Sequence, residues 1–151
     1  MLSGEVETGD KVIVIGDDDD TQSLDAACFL AERGKRVEVL CRGYYFGSKA
    51  EDLNRQAIHQ RLAHAGVTLT PHTGVKEISG DTVTAFNVFS GREVIYDAVD
   101  TVVVGCGGEE NNALYYALTD KVKELHLVGD AGGIRRLHDM TMDGARVGRI
   151  L

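Results

Sequence analysis

Four consecutive aspartates, Asp17 to Asp20, follow an apolar run that ends in Gly16. A strand, a glycine turn and a helix form the usual cradle for a phosphate, because the N–H groups that open the helix point at the anion. Carboxylates in that cradle repel a phosphate: two like charges about 4 Å apart cost about 1 kcal/mol in water and several times that at lower dielectric. The helix terminus offers an exposed anion only about 0.3–1 kcal/mol. The turn is therefore predicted to be a poor pyrophosphate site.

The same turn lacks most of the G-x-G-x-x-G fingerprint of dinucleotide-binding domains. Its three glycine positions hold Gly16, Asp18 and Thr21. The second glycine normally lets backbone approach the pyrophosphate, and the third lets helix and strand pack closely. Three interpretations of the aspartates stay open: capping of the following helix, a divalent-ion site made by two of them, or contact with a basic surface of another domain. Capping is the favoured one.

A second candidate cofactor residue, Arg42, follows the next apolar run, RVEVLC. NAD sites favour an acid at the end of that strand, whereas NADP sites often use a nearby arginine for the 2′-phosphate. Arg42 taken alone indicates NADP, but a solvated arginine is favoured because the cradle is lost. Tyr44, Tyr45 and Phe46 come next, and core or interface packing is favoured over adenine stacking for these rings.

The elements that position these residues follow the order β-α-β-α-β, an antiparallel three-stranded meander, then β-α-β-α. Continuous apolar runs such as KVIVIG are typical of strands buried on both faces, and SGD and SGR are hairpin turn signals. The sequence predicts an α/β class of Rossmann-like three-layer fold, with a mostly parallel sheet and a small meander. Ser48 and Glu51 form a capping-box signature. The predicted parallel strands are 11–16, 36–41, 67–70, 101–104 and 125–128, the last beside 101–104; the helices begin near 21, 48, 110 and 135; the meander covers 73–97.

Composition excludes several classes of function. The chain has 151 residues and a net charge of -8 without a basic stripe, which disfavours nucleic-acid binding. No apolar run reaches about 18 residues and no signal peptide is recognisable, so a cytoplasmic protein without membrane contact is expected. Cys28, Cys41 and Cys106 lack C-x-x-C spacing, so reduced, partly buried thiols and no metal site are expected. The domain is expected to span 10–151, after a disordered or tag-like segment at 1–9.

A second Gly-Asp pair lies in LHLVGDAGG, near the C-terminus. Together with DTVVVGCGG and the βαβ units, this stretch resembles the C-terminal, FAD/NAD(P)-binding type of domain of NADH:flavin oxidoreductases, the group of trimethylamine dehydrogenase and 2,4-dienoyl-CoA reductase. The resemblance covers about residues 10–151. It implies that Asp130 contacts the ribityl region of a flavin and that Gly129 and Ala131 lie near a pyrophosphate. It also implies a crossing turn between the two nucleotide-binding halves at Gly105 and Gly107.

The resemblance further implies that the first glycine-rich βαβ of the FAD half and the barrel that holds FMN would lie upstream. We therefore expect a domain of a larger flavoprotein that is not catalytic alone, with the remaining domains as its partners and a homo-oligomer left open. No cofactor is firmly expected in the isolated chain; ADP, NAD(P)H and FAD are candidates in the parent protein. Three hypotheses remain: a non-catalytic, weakly nucleotide-binding domain; an active domain delivering hydride from NAD(P)H to a flavin held elsewhere; or a freestanding interaction domain using its acidic loop.

Overall fold

The computed structural model describes residues 6–151, so residues 1–5 of the expected disordered or tag-like segment lie outside it. At the end of that segment, the backbone N–H of Gly9 donates a hydrogen bond to the Thr101 hydroxyl at 3.0 Å. The chain divides into two compact units between Gly107 and Gly108, and each unit is described by itself. Within residues 6–151, every helix is too short or too polar to span a bilayer.

The first unit contains seven strands and two helices in its described part. Four of the strands form a parallel sheet and three form a separate antiparallel sheet, so the predicted mixed α/β class with a meander is confirmed. In chain order the elements are β1 (Lys11–Gly16), α1 (Gln22–Ala31), β2 (Arg36–Leu40), α2 (Asp52–His64), β3 (Thr68–Thr70), β4 (Thr73–Ser79), β5 (Thr82–Asn87), β6 (Glu93–Tyr96) and β7 (Thr101–Gly105).

The parallel sheet has the strand order β3-β2-β1-β7, and its inner strand β1 is buried on both faces. Successive residues of a strand point to opposite faces, so Val12 and Val14 of β1 join the core under α1 and α2. Ile13, between them, packs with Val83 and Ala85 of the meander. Burial on both faces explains why the sequence of β1 is continuously apolar rather than alternating. The carboxyl ends of β2, β1 and β7 consequently meet at one edge of the sheet.

Both helices of this unit end as the sequence indicates. Gly34 and Gly66 adopt positive φ angles of 83° and 73°, a conformation that glycine reaches without steric cost. The start of α2 differs from expectation, because the helix begins at Asp52 and its N-cap residue, Glu51, makes no capping hydrogen bond with its side chain. The predicted capping box is therefore wrong: the Ser48 hydroxyl donates instead to Asp19 Oδ1 at 3.3 Å, four residues before the helix begins.

The second unit holds α3 (Ala113–Leu118), a 3₁₀ turn (Gly129–Gly132) and α4 (Leu137–Val147). The prediction of a strand at 125–128 is wrong, because these residues form no strand and β7 pairs with β1 alone among the described strands. Val128 is extended, with φ -136° and ψ 157°, but a strand also needs a hydrogen-bonded neighbour. No residue from 108 to 151 is buried.

Candidate functional site

The carboxyl edge of the parallel sheet brings together five of the candidate residues, Gly16, Asp17, Asp18, Arg42 and Gly105. Gly16 and Gly105 are direct partners in the β1–β7 register. The Asp17 N–H extends this ladder by donating to the Gly105 carbonyl at 2.9 Å. The site is therefore a strand–turn–helix on β1, flanked by the ends of β2 and β7.

Close packing of α1 against this edge accounts for both glycines. A Cβ added at Gly105 would lie 2.8 Å from Ser23 Cβ and 3.2 Å from the Ile15 carbonyl oxygen. A Cβ added at Gly16 would lie 3.0 Å from Ser23 Oγ and 3.1 Å from Val39 Cγ1. The second fingerprint position needs no glycine for this packing, which explains how an aspartate can stand there.

Asp18 caps α1 from three residues before the helix boundary at Thr21. Its Oδ2 accepts the Ser23 backbone N–H at 3.0 Å, and its Oδ1 accepts the Ser23 hydroxyl at 3.0 Å. Oδ1 also accepts the Asp20 N–H at 3.3 Å. Because Ser23 is only 4% exposed, its polar groups would otherwise be buried without a partner. Among the three interpretations of the acidic run, capping is thus the one that the geometry of Asp18 bears out.

The Asp17 carboxylate is paired with Arg42, the arginine that could have recognised a 2′-phosphate. Its Oδ1 accepts the Arg42 backbone N–H at 2.9 Å, and its Oδ2 lies 3.2 Å from Arg42 Nε. The Asp17 side chain is only 19% exposed, whereas that of Arg42 is 63% exposed. Arg42 is therefore exposed to solvent, as expected. Its ion pair with Asp17 was not expected.

The remaining two aspartates are also engaged within the chain. Asp19, at φ 59°, accepts the Lys49 N–H on its backbone oxygen at 2.8 Å, and its Oδ2 lies 3.4 Å from Lys49 Nζ. Asp20 Oδ1 accepts the Thr21 N–H at 2.8 Å. The contacts between Asp19 and Lys49 join the loop after β1 to the loop after β2. All four carboxylates therefore have partners inside the first unit.

The residues of this turn do not fit a pyrophosphate. A helix N-terminal N–H that would bind the anion is taken by Asp18, and the nearest arginine is paired with Asp17. A phosphate placed there would also face two partly buried like charges, whose repulsion exceeds what the helix terminus offers. The Asp18 carboxylate stands where a bound anion would lie. The divalent-ion interpretation gains no support either, since residues 6–151 contain no group of three or more His, Cys, Asp or Glu side chains that could hold a metal.

The three cysteines form no disulfide in the described part of the chain. Cys28, Cys41 and Cys106 are all free, and Cys106 alone is exposed. Burial raises the pKa of both Cys28 and Cys41; at Cys41 a hydrogen bond from the Gly43 N–H opposes this pKa shift, and the loop carboxylates add to it. The two buried sulfurs are therefore protonated thiols rather than the thiolates that attack a disulfide.

The other candidate residues are less constrained. Gly107 follows β7 with φ 89°, and nothing lies within 4 Å of a Cβ built on it. Gly129, Asp130 and Ala131 belong to the second unit, where they form a single 3₁₀ turn. Their roles near a flavin remain predictions.

Sequence reasoning missed Ser23 and Lys49, which complete the acidic turn, and gave Ser48 the wrong partner. A signal for Ser23 exists, because Ser23, Ala27 and Leu30 recur at i, i+4 and i+7 and all three are buried. A serine on the buried face of a helix must find a hydrogen-bond partner, and the nearest acceptors in sequence are the aspartates. Lys49 carries no such signal, since its position opposite Asp19 depends on how two loops meet.

This fold, with its strand–turn–helix at the sheet edge, defines a Rossmann-like domain of dinucleotide-binding type. The family model of pyridine nucleotide-disulphide oxidoreductases matches residues 7–140, and the chain belongs to that family. The resemblance drawn from the sequence is thereby confirmed: this is a flavin/NAD(P)-binding oxidoreductase type of domain.

Individual relatives agree with this assignment. A 2-naphthoyl-CoA reductase matches with a TM-score of 0.85 and 31% identity, covering 97% of this chain and 22% of that one. An N,N-dimethylglycine/sarcosine dehydrogenase from Chromohalobacter salexigens is 29% identical over 125 residues, 80% of this chain and 18% of the relative. A histamine dehydrogenase from Rhizobium sp. 4-9 shares the fold, with a TM-score of 0.85, 24% identity and coverage of 95% and 23%. The chain thus spans about a fifth of the length of these relatives.

Proposed function

We propose that this chain is a non-catalytic domain of a larger flavin-dependent NAD(P)H oxidoreductase, and that its strand–turn–helix is structural. The observation that carries this proposal is the internal occupation of the turn. Asp18 accepts the N–H that a phosphate would use, and Asp17 holds the arginine that a 2′-phosphate would use. An adenine nucleotide would have to displace both carboxylates, so its binding is weak at most.

Two further observations support a larger parent enzyme. The chain spans about a fifth of relatives described as a reductase and dehydrogenases. Its second unit exposes large apolar side chains and buries none, which is unusual for a segment with no further partner. The exposed residues include Leu114, Leu137, Met142, Ile150 and Leu151. We expect other domains of the parent enzyme to cover them and to carry its flavin and substrate.

The second candidate function is an active domain that delivers hydride from NAD(P)H to a flavin held elsewhere. Membership of the pyridine nucleotide-disulphide oxidoreductase family favours it, as does the retained first glycine, Gly16. It requires the pyrophosphate to bind without the second and third fingerprint glycines. The interaction-domain hypothesis gains less support, since the carboxylates it needs at the surface are paired within the chain.

Restoring the cradle tests the proposal. The variant Asp17→Ala/Asp18→Gly/Thr21→Gly frees the Arg42 guanidinium and returns both missing glycines. We expect no calorimetric heat of binding from the wild type with NADPH, and measurable binding by the variant. Removal of negative charge favours binding of any polyanion. The matched control is therefore Glu77→Gln/Asp81→Asn, which removes two charges from the meander.

The outcomes separate the two candidate functions. A gain in NADPH affinity well above that of the charge-matched control supports a turn blocked by its own carboxylates. Micromolar binding by the wild type that the triple variant leaves unchanged supports the active domain instead. Circular dichroism of each variant establishes that the fold is kept, so that absence of binding is not a folding defect.

A further inference from the structure

A cavity of about 520 Å³ opens beside α2, at the outer edge of the parallel sheet. Its size lies within the range of about 300–1,000 Å³ that is usual for small-molecule sites. No residue of the acidic turn lines it, so it is separate from the strand–turn–helix at Gly16. The lining residues are Tyr44, Tyr45, Phe46, Asp52, Arg55, Gln56, His59, Leu69 and Pro71.

One wall of the cavity is aromatic and exposed. Tyr44 and Tyr45 are 66% and 72% exposed, so these large rings are not part of the core. The Tyr44 ring is braced by two other rings: its centroid lies 5.1 Å from that of His72 in an edge-on contact and 5.6 Å from that of Phe89. A ring held in this way presents its surface to a ligand at little additional entropy cost.

The polar lining is close to electrically neutral. Arg55 forms an ion pair with Asp52 on the same helix, so neither leaves an uncompensated charge. His59 Nε2 lies 3.2 Å from the Phe46 carbonyl oxygen, which can only accept, so Nε2 carries a proton. In the neutral ring, Nδ1 is then an acceptor. The cavity thus combines stacking surface with an acceptor and no spare cation for a phosphate.

We propose that this cavity binds a small, neutral, planar aromatic molecule that carries an N–H donor. Tyr45 supplies stacking surface beside the braced Tyr44, and His59 accepts the N–H. Offset or edge-to-face contacts between rings contribute beyond burial of area, which gives a planar ring an advantage over an aliphatic molecule of the same size. The proposal does not depend on the role of the acidic turn.

Titration of the 151-residue chain with indole, followed by the backbone amide resonances of the ¹⁵N-labelled protein, tests this. We expect saturable shifts at residues 44–46 and 55–59 and none at 16–20. Tyr45→Ala should weaken binding about fivefold or more. Tyr116→Ala is the matched control, because this tyrosine is 66% exposed but does not line the cavity. It should leave the affinity unchanged.

Two ligand analogues sharpen the test. 1-Methylindole lacks the N–H and should bind more weakly than indole. Indole-3-carboxylate should also bind more weakly, because it adds a charge that the neutral lining does not compensate. Shifts that do not saturate, that spread over the whole chain, or that saturate at the same indole concentration in Tyr45→Ala as in the wild type would overturn the proposal. Tighter binding of the carboxylate would also overturn it, since that result would indicate a cationic site.

Discussion

Replacing Asp18 by alanine should destabilise the first unit much more than replacing its neighbour Asp20. Asp18 accepts both the backbone N–H and the hydroxyl of Ser23, which is buried. Loss of a capping side chain costs about 0.5–2 kcal/mol, and each buried polar group left without a partner costs about 1–3 kcal/mol. These contributions overlap, so we expect a loss of about 2–3 kcal/mol in the free energy of unfolding.

Asp20→Ala is the matched control from the same loop. Asp20 Oδ1 accepts the N–H of the adjacent Thr21, a local and partly solvated contact, so the loss should stay below about 1 kcal/mol. Urea unfolding followed by circular dichroism measures both variants. A double-mutant cycle of Asp18→Ala with Ser23→Ala should show a coupling free energy of about 1 kcal/mol or more. Equal destabilisation by the two alanine variants, or additive losses in the cycle, would refute the capping role of Asp18.

Three more predictions address packing and pH. Gly105→Ala should destabilise the protein by about 1–3 kcal/mol, because the added Cβ meets a side chain and backbone. Gly144→Ala in α4 should stabilise it by about 0.5–1 kcal/mol, because the added Cβ has no atom within 4 Å. Thermal unfolding measures both changes. Burial and Glu38 raise the pKa of Tyr96 to about 12, so the stability that its hydroxyl contributes is present below about pH 10 and is lost as pH rises towards 12. The stability advantage of wild type over Tyr96→Phe should therefore shrink across that window, and a constant advantage would contradict this. Hydrogen bonds from two backbone N–H groups lower the pKa of Asp100, so the advantage over Asp100→Asn should be full above about pH 4 and shrink as the pH falls further.

Local pattern was sufficient to predict four strands of the parallel sheet and the meander. The continuous apolar run of β1 and the glycines that end α1 and α2 are properties of single segments, and the structure has them where the sequence places them. The class of domain was recognised from LHLVGDAGG and DTVVVGCGG together with the βαβ units. Glycine at 16 and 105 is explained by how closely the buried serine of α1 approaches the strand ends.

The errors arose where an element depends on a distant partner. Ser48 has the correct spacing for a capping box, yet its hydroxyl bonds to Asp19 across two loops. The apolar residues at 125–128 indicate a buried strand, but they do not supply the neighbouring strand that it needs. The pairing of Asp17 with Arg42 joins residues that are 25 apart in sequence, and no local rule indicates it. Charge repulsion at the turn was predictable, but the identity of the groups that neutralise it was not.

The most direct test of the central claim is a calorimetric titration of the wild-type chain with ADP, NADH, NADPH and FAD at low and moderate salt. If the carboxylates of residues 17–20 occupy the turn, none of the four should give a saturable heat at micromolar concentrations. Micromolar binding of NADH or NADPH, reduced by substitution of Gly16 or Arg42, would contradict the claim, because the pyrophosphate would then displace the internal anion.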